Sequence, residues 1–545
     1  MTKYAKHMNP VVTPQTEQAK DNQVMNSAGG FSFKLDQWSA LDRWLVLGAE
    51  GGTYYASEKK LVTENAKTIK LCLTNDGPRT VSRIVEMSQS GRAPKNDPAI
   101  FALAIAASHD NEKTRKAALE ALPSVCRTGT HLFQFAESVN SMRGWGRGLK
   151  NAVASWYNDK SADSVAFQAI KYQQRNGWSH GDLLRLAHPQ AASPEHEAVF
   201  RYIITGTTDT GERNVKRKGS KVESKYSKIS AKVPEIIEAY EVMKKTKSLN
   251  EVVRLINDHR MTHEMVTNEW KDKAEVWEAL LQHMPMTAMV RNLGKMSSIG
   301  LLQNMSSASK TVIEKLKNND DLRKSRIHPI TLLSALTTYQ QGRGVKGSLT
   351  WNADKNISKA LENAFYEAFK TIEPTGKRIM IGLDVSSSMT CGDIAGASGL
   401  TPRMASAVMS MVTMRAEQQY YVKGFSHNIV DVNIDDQMRI NEVIKKIESI
   451  PMGGTDCSLP MIHAAEKKIP VDAFYVYTDN ETYYGKMHPF QALKMYRSKM
   501  GIPAKLVVVG FTATDFSIAD PSDGGMLDVV GFDSAAPSIM ADFTR

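Results

Sequence analysis

Cysteine is scarce in this chain, with only four among 545 residues. They are Cys72, Cys126, Cys391 and Cys457, and no two have the spacing of a metal-binding pair or of a small disulfide framework. Disulfide-stapled secreted domains are therefore excluded as the class of this protein. The cysteine usage favours a reduced compartment, and we expect the protein to be cytoplasmic.

Long apolar runs are also missing. No stretch approaches the roughly 18 consecutive apolar residues that a membrane-spanning helix needs. The N-terminal stretch MTKYAKHMNPVVTPQTEQAKDNQ lacks the apolar core of a secretory signal. The sequence thus predicts no membrane partner. Its 42% hydrophobic and 23% charged residues are typical of a globular protein.

Acidic residues are under-represented in the first part of the chain. From Glu373 to the C-terminus there are 16 Lys and Arg against 20 Asp and Glu, a balance of −4, and the remainder holds 53 against 38, a balance of +15. A basic first part favours contact with a polyanion such as a nucleic acid. A solvated, lysine-rich helical surface explains the charge equally well, so charge alone leaves both interpretations open.

The pattern of apolar residues divides the chain into three parts. Residues 1–34 are polar and contain a pair of glycines, which predicts an extended N-terminal arm. From 35 to 370, apolar residues recur at intervals of three and four, which predicts an all-α domain of HEAT-like paired helices, although no fixed repeat period is visible. From 373 to 545, strands and helices alternate, which predicts an α/β doubly wound domain with helices on both faces of a parallel sheet. Its strands are predicted at Ile379–Leu383, Tyr420–Phe425, Ala473–Tyr477 and Lys505–Val509.

A basic loop is predicted within the helical domain, from 207 to 232. It carries eight Lys and Arg and few apolar residues, which predicts a mobile segment. The loop is either a basic flap over phosphate or a solvated charged linker, and the sequence leaves both open.

Three polar turns in the C-terminal domain carry hydroxyl and carboxylate groups. The first, D-x-S-x-S, directly follows a predicted strand, and alternate positions of an extended loop point the same way. The second, G-G-T-D, is a glycine turn, and the third ends a later strand with Thr-Asp. Hard oxygen groups of this kind suit a cation such as Mg²⁺. A lone D-x-S-x-S is also an ordinary capped turn, so the order of all three turns is what favours a cation site.

These turns, in this order, resemble the metal-ion-dependent adhesion site of the von Willebrand factor A fold. The resemblance implies a divalent cation, Mg²⁺ being expected, with an open coordination position that an acidic side chain of a protein partner fills. Asp479 is expected to bind often through water. The ligands implied are Asp384, Ser386, Ser388, Thr455 and Asp479.

Basic and aromatic residues cluster in the stretch AFQAIKYQQRNGWSHGDLLRLAHP of the helical domain. Lys171 and Arg175 are four apart in a predicted helix, so both should project from one face. His188 lies in the last turn of the next helix, and Trp178 lies at the bend between the two. Together they offer phosphate contacts and a surface on which a base stacks. A solvated helix face with a structural histidine is the alternative.

A second basic group surrounds Trp145 in the sequence SMRGWGRGLK and continues upstream. Glycine next to the cations permits close approach of the backbone to a phosphate. A solvated basic face is again the alternative. The members of this group are Arg127, His131, Arg143, Arg147 and Lys150.

Short motifs along nearly the whole chain, from about Leu35 to Gly531, resemble the Ro autoantigen (TROVE) family. The resemblance implies a ring of helical repeats closed by the A domain. Single-stranded 3′ ends of misfolded RNA would enter the central hole, and small structured Y RNAs would bind the basic outer surface through Lys171, Arg175 and His188. We place the second basic group at the inner wall or rim of the ring. The motifs lie at 126–131, 170–188, 292–296, 328–330, 342–344, 453–460 and 477–482.

Three hypotheses on function follow. The first is a non-catalytic RNA-binding protein that acts as a scaffold and in RNA quality control, and whether it recruits an exoribonuclease is open. The second is a metal-dependent protein-binding module on a helical scaffold. The third is a metal-dependent ribonuclease. Two-metal phosphoryl chemistry needs several clustered carboxylates, whereas the ligand set here has only two acids, so we expect no catalysis.

Overall fold

The computed structural model describes residues 12–48, 58–175, 177–211, 213–216, 223–226, 228–344, 348–369, 372–392, 394, 399–512 and 514–545, with only the backbone for 58–65, 213–216 and 223–226. These residues form two compact units. Unit 1 contains the described residues within 1–72, 90–98 and 313–545. Unit 2 contains those within 73–89 and 99–312.

Helices dominate the chain up to residue 369. They are α1 Gln37–Leu47, α2 Glu58–Ser90, α3 Asp97–Ala107, α4 Glu112–Glu120, α5 Leu122–Val125, α6 Gly129–Met142, α7 Arg147–Asn158, α8 Ala162–Lys171, α9 His180–Ala187, α10 Pro194–Thr205, α11 Glu235–Met243, α12 Leu249–His259, α13 Ala274–His283, α14 Met286–Ser298, α15 Ser307–Lys317, α16 Asn319–Ser325, α17 Pro329–Gln341 and α18 Lys355–Glu367. The C-terminal part adds α19 Pro402–Ala416, α20 Ile440–Glu448, α21 Leu459–Glu466, α22 Pro489–Met500 and α23 Ala536–Thr544.

Strands lie mainly in the C-terminal part. They are β1 Gln23–Met25, β2 Phe31–Lys34, β3 Gln174–Arg175, β4 Trp178–Ser179, β5 Arg213–Lys216, β6 Glu223–Tyr226, β7 Ile379–Asp384, β8 Tyr420–Phe425, β9 Ile429–Val430, β10 Ala473–Thr478, β11 Lys505–Gly510, β12 Phe516–Ser517 and β13 Met526–Val530. Within the described residues, no helix is both long and apolar enough to cross a membrane.

Unit 2 is helical, as predicted, apart from two short hairpins that the sequence did not indicate. Helices that are close in sequence pack on one another, for example α8 on α10 and α11, and α12 on α13. Polar side chains begin several of these helices by accepting a backbone N–H, as Ser161 does for α8 and Ser248 for α12. The hairpins are β3–β4 and β5–β6. The basic loop predicted at 207–232 corresponds in part to β5–β6, and its side chains from 212 to 227 lie outside the described residues.

The six-stranded sheet of unit 1 has the strand order β13-β11-β10-β7-β8-β9. All neighbours pair in parallel except β9, which is antiparallel to β8. Every residue of the central strands β7 and β10 is buried. A strand covered on both faces requires apolar residues at successive positions, and this is why these runs are continuous in the sequence.

Successive residues of β10 contact helices on opposite faces of the sheet. Phe474 belongs to a buried cluster with Met461 of α21 and Leu493 of α22. Tyr475 points to the other face, where its hydroxyl lies 2.8 Å from the Thr544 hydroxyl of α23. The alternation has the period of two expected for a strand, and the prediction of helices on both faces is confirmed.

The N-terminal stretch predicted as an extended arm folds as part of unit 1. Strand β2 pairs with β1 on one side and with β12 on the other, in register at Lys34 and Phe516. Phe33 is buried, with its ring edge-on to Phe490 of α22 at 5.5 Å. Residues 12–34 are therefore packed against the sheet domain, and the described residues leave no free arm after position 12.

The predicted domain boundary at 370–373 separates residues that pack together. Unit 1 begins again at Ile313 and includes α16 to α18. The buried Glu362 of α18 accepts the backbone N–H of Ile440 at 2.9 Å, which satisfies a free donor at the start of α20. The Arg415 guanidinium lies 3.7 Å from the ring centre of Tyr366. These contacts join α18 to the sheet domain, and no local sequence signal indicates them.

Candidate functional site

The five predicted metal ligands converge at the carboxyl ends of β7 and β10. These strands are neighbours, with Leu383 opposite Tyr477, so the turns that follow them start side by side. Each of the five side chains is at most 2% exposed, although four of them belong to turns and Asp384 ends β7. They are Asp384, Ser386, Ser388, Thr455 and Asp479.

The Asp384 carboxylate is held at both oxygens. Its Oδ1 accepts the Ser386 backbone N–H at 2.9 Å, and its Oδ2 accepts the Thr478 hydroxyl at 2.7 Å. The hydroxyls of Ser386 and Ser388 lie 3.0 Å apart, although Ser387–Thr390 form a short 3-10 turn in place of the predicted extended loop. Thr478 is a positioning residue that the sequence reasoning missed, although it directly precedes Asp479 in the third turn.

Two oxygen atoms of the candidate ligand set are buried and have no hydrogen-bond partner among the described residues. They are Oγ1 of Thr455 and Oδ2 of Asp479. A buried polar atom without a partner is costly, by about 1–3 kcal/mol each. Both atoms belong to the implied ligand set, so the residues present fit a cation bound through hard oxygen ligands.

The electrostatics of the site also favour a bound cation. Burial, together with the nearby charge of Asp479, raises the pKa of Asp384, and burial also raises the pKa of Asp479. Two buried carboxyl groups favour a proton or a cation between them. Arg403, which is buried in α19, supplies positive charge close to Asp384 and donates to the Ile450 carbonyl oxygen. Sequence reasoning did not identify Arg403.

Histidine and cysteine play no part in the candidate ligand set. The described residues contain no group of three or more His, Cys, Asp or Glu side chains arranged to hold a metal ion. A set of three hydroxyls and two carboxylates is suited to Mg²⁺ rather than to zinc, which takes nitrogen and sulfur ligands.

The predicted basic constellation of unit 2 is only partly assembled as expected. Helix α8 ends at Lys171, and Arg175 belongs to the hairpin β3–β4, so the two do not share a helix face and that prediction is wrong. The hairpin forms because Gly177 adopts a positive φ of 78° at its turn, which other residues rarely do. Arg175 is exposed and lies opposite Trp178 in the hairpin.

His188 and Lys171 lie at the C-terminal ends of two different helices, α9 and α8. His188 ends α9 in the left-handed conformation, with φ 47°, and its side chain is exposed. Ser179 starts the same helix with a capping box to Asp182. The Lys171 ammonium lies 5.3 Å from the ring centre of Tyr172, so it is partly covered by aromatic surface.

The two basic groups come from separate stretches of the sequence. In the structure a tryptophan of one group contacts a tryptophan of the other. The ring centres of Trp145 and Trp178 are 5.8 Å apart, with a 36° angle between the ring planes. The Trp178 indole N–H donates to the Glu137 carboxylate, which fixes the ring. Both indoles are half-buried, so part of each ring remains accessible.

A groove of about 790 Å³ lies between α4 and α7, beside the second basic group. Arg143 and Arg147, both predicted, line it, and Lys150 lies one turn farther along α7. Arg115 and Lys116 add two cations that the sequence reasoning missed. Glu112, Glu120 and Asp159 also line the groove, so its charge is mixed.

Arg127 and His131 are less available than the other predicted residues. The Arg127 guanidinium donates to the Ser88 hydroxyl at 2.9 Å and to the Ser124 carbonyl at 3.0 Å, although the residue is exposed. His131 is half-buried in the first turn of α6. The Arg127 side chain therefore stabilises local structure in addition to any contact with a ligand.

A buried histidine that was not among the predicted site residues packs in the interior of unit 2. His180, at the start of α9, shares a hydrogen bond of 2.7 Å with the Tyr157 hydroxyl and packs edge-on to Phe133 at 4.8 Å. Gly129 makes room for it, since a Cβ there would lie 2.7 Å from the ring. Burial lowers the pKa of His180 to about 4, so the ring is neutral.

Comparison with models of known families shows which family the chain belongs to. The TROVE domain model matches residues 24–338, and the Ro60 vWA domain model matches residues 378–544. This chain belongs to the TROVE (Ro60) family. The match confirms the predicted fold class, a helical TROVE region followed by a von Willebrand factor A domain.

Relatives of this TROVE family member align over nearly its whole length. The RNA-binding protein RO60 of Deinococcus radiodurans is 39% identical over 540 residues, covering 99% of this chain and 98% of that protein. The RNA-binding protein RO60 of Caenorhabditis elegans is 36% identical over 592 residues, covering 98% of this chain and 91% of that protein. The crystal structure of the Deinococcus radiodurans RO (RSR) protein matches with a TM-score of 0.68, covering 94% of this chain and 99% of that one.

Proposed function

We propose that this TROVE family member is a non-catalytic RNA-binding protein. The observation that carries the proposal is the surface of unit 2 on which exposed cations flank the Trp145–Trp178 pair. Arg and Lys contacts to phosphate supply most of the affinity in such complexes, and accessible aromatic rings stack on unpaired bases. The two relatives named as RNA-binding proteins, at 39% and 36% identity, support the same conclusion.

Two kinds of RNA are proposed as ligands. Small structured Y-like RNAs would bind at the exposed surface of Lys171, Arg175 and His188, with Trp178 as the stacking residue. Misfolded RNAs would enter the central hole of the family's ring by a single-stranded 3′ end, and Arg127, His131, Arg143, Arg147 and Lys150 would lie along that path. Such a protein acts as a scaffold and in RNA quality control, and cytoplasm is the location we propose.

We further propose that the A domain binds Mg²⁺ through the five buried oxygen ligands. When bound, the ion supplies positive charge and a coordination position for an acidic side chain of a protein partner. The unpartnered oxygens of Thr455 and Asp479 support this assignment. Only two carboxylates belong to the set, which is too few for two-metal hydrolysis. RNA degradation would then need a separate protein, and an exoribonuclease is the partner class to test.

A metal-dependent protein-binding module is the second candidate function. The observation that favours it is the exposure of Met452 and Tyr484, at 57% and 58%, on the two turns that carry Thr455 and Asp479. The His427 ring packs edge-on to Tyr484 at 5.8 Å, which extends this apolar surface. Large exposed apolar side chains beside a candidate ligand site are typical of protein contact surfaces. The two functions occupy different units and are compatible with each other.

A filter-binding titration at two salt concentrations tests the first proposal. It compares a duplex that has a 3′ single-stranded tail, the same duplex with blunt ends, and a small structured RNA. We expect the tailed and the structured RNAs to bind better than the blunt duplex, with affinity falling steeply as salt rises. Equal and weak binding of all three would leave only a basic surface. Asp384→Ala should leave these affinities unchanged and abolish metal-dependent binding of a protein partner.

A further inference from the structure

A buried glutamine from the start of the chain joins two of the three metal-site turns. Gln15 is fully buried, and its side-chain amide donates to Oδ1 of Asp456 at 2.7 Å and to the Met487 carbonyl at 2.8 Å. Its carbonyl oxygen accepts the Thr482 hydroxyl. Asp456 directly follows Thr455, and Thr482 is three residues after Asp479. One side chain thus bridges the turns of two candidate ligands, from more than 400 positions away in sequence.

The same N-terminal segment holds the third turn at successive residues. The Asn26 side-chain amide donates to the Thr482 carbonyl at 2.8 Å, and the Ala28 N–H donates to the Glu481 carboxylate at 3.1 Å. The Ser32 hydroxyl donates to the Asn480 carbonyl at 3.3 Å. Every residue from 480 to 482 is therefore contacted by residues 26–32.

The third turn has a conformation that benefits from outside support. Asn480 has a positive φ of 67°, which is uncommon for residues other than glycine, although asparagine adopts it more readily than most and neighbouring contacts stabilise it. The turn also donates two N–H groups, those of Tyr483 and Tyr484, to the Thr455 carbonyl at 3.1 and 3.0 Å. These hydrogen bonds tie the position of Thr455 to that of the turn carrying Asp479. Gln15 contacts both turns, through Asp456 and Thr482.

Glycines give the N-terminal segment room to approach this closely. A Cβ on Gly30 would overlap the Thr482 carbonyl oxygen, and a Cβ on Gly485 would overlap both the Gln15 amide and the Asp456 carboxylate. The Gln15 backbone N–H also donates to the Gly485 carbonyl at 2.9 Å. The contact is thus a close-packed backbone fit that extends beyond one polar side chain.

We propose that residues 12–34 form a clamp on the metal site, and that Gln15 is a positioning residue which sets the affinity for the cation by holding the Thr455 and Asp479 turns together. The inference rests on the Mg²⁺ site of the proposed function and deepens it. Outer groups that orient metal ligands change affinity although they do not touch the ion. Because coupling is reciprocal, a bound cation must in turn stabilise the clamp.

Two measurements on the full-length protein test the clamp. In the first, Mg²⁺ is titrated calorimetrically into the wild type, Gln15→Ala and Gln18→Ala. Gln18 is the matched control, since it is exposed and its amide bonds only within the segment, to Lys20, Asp21 and Gln23. We expect Gln15→Ala to weaken Mg²⁺ binding about tenfold or more and Gln18→Ala to leave it unchanged.

The second measurement needs no variant, so it stands even if Gln15→Ala folds poorly. Hydrogen exchange of the amides of residues 12–34 is followed in the wild type with and without Mg²⁺. We expect Mg²⁺ to slow this exchange. If wild-type protein binds Mg²⁺ while Gln15→Ala binds it equally well, or while exchange of the segment is unchanged, the clamp is overturned and the metal site stands. If the wild type binds no Mg²⁺, the metal site itself is overturned, and the clamp with it.

Discussion

The Thr478 hydroxyl donates to Oδ2 of Asp384 at 2.7 Å, across the neighbouring strands β10 and β7. This bond helps to orient the carboxylate of Asp384, the first of the five candidate metal ligands along the chain. Thr478→Val keeps the shape of the side chain and removes the donor. We expect it to weaken Mg²⁺ binding by about tenfold or more, since Oδ2 of Asp384 then loses its donor and the Asn480 N–H loses the Thr478 hydroxyl as its acceptor. Thr337→Val, which removes a hydroxyl bond to a helix carbonyl in α17, should leave Mg²⁺ affinity unchanged, and equal effects of the two would contradict the assignment.

The Trp145–Trp178 pair is expected to contribute to RNA binding by stacking. Trp178→Ala should lower the affinity for a structured RNA by about 1–3 kcal/mol, the usual worth of one aromatic stacking contact. Trp178→Phe keeps an aromatic ring and loses the donor to Glu137 and part of the ring area. The phenylalanine variant should therefore retain most of the affinity. If both variants bind like the wild type, the pair is purely structural.

Gly30 is expected to tolerate no side chain. A Cβ there would overlap the Thr482 carbonyl oxygen, which is backbone and has little freedom to move. Gly30→Ala should therefore lower the free energy of unfolding by about 1–3 kcal/mol, the usual penalty for overpacking. Gly524→Ala, where a Cβ would meet open space, is the control. Urea unfolding that gives the same stability for both variants would contradict the close fit.

The stability of unit 2 should depend on the protonation of His180. Burial lowers its pKa from 6.5 to about 4, so its contribution is fully present above pH 6.5 and is lost as the pH falls toward 4. The destabilisation caused by His180→Gln, which does not titrate, should therefore be largest at neutral pH. It should shrink by up to about 3 kcal/mol as the pH falls through this window. A difference between the two proteins that stays constant from pH 7.5 to 4.5 would show that His180 is not buried in its neutral form.

The sheet domain was largely accessible to sequence reasoning because its signals are local. Strand β8, Tyr420–Phe425, is observed as predicted, and β7 and β10 extend only one residue beyond their predicted ends. A strand buried on both faces produces a continuous apolar run, and the polar turn after it marks its carboxyl end. The order of the three turns then places the candidate ligands together, as the structure does.

The features that sequence reasoning missed depend on contacts between distant residues or on competing local conformations. Gln15 is an ordinary polar residue until the fold brings it to Asp456. Near Arg175, the local sequence suits either a continued helix or a short hairpin, and the hairpin is what forms. Periodicity also does not tell the buried His180 from the exposed His188, since both lie at the ends of α9.

Binding of a small structured RNA to surface-charge variants tests the central claim most directly. Filter binding at two salt concentrations would compare the wild type with Lys171→Ala/Arg175→Ala and with Lys355→Ala/Lys359→Ala, a control pair that removes the same charge from exposed positions of α18. We predict that the first pair weakens binding about tenfold or more and lowers the salt slope by about two, with an unchanged melting temperature, while the control pair binds like the wild type. Equal affinities for all three proteins, or equal losses in both variants, would contradict a specific RNA-binding surface at Lys171 and Arg175.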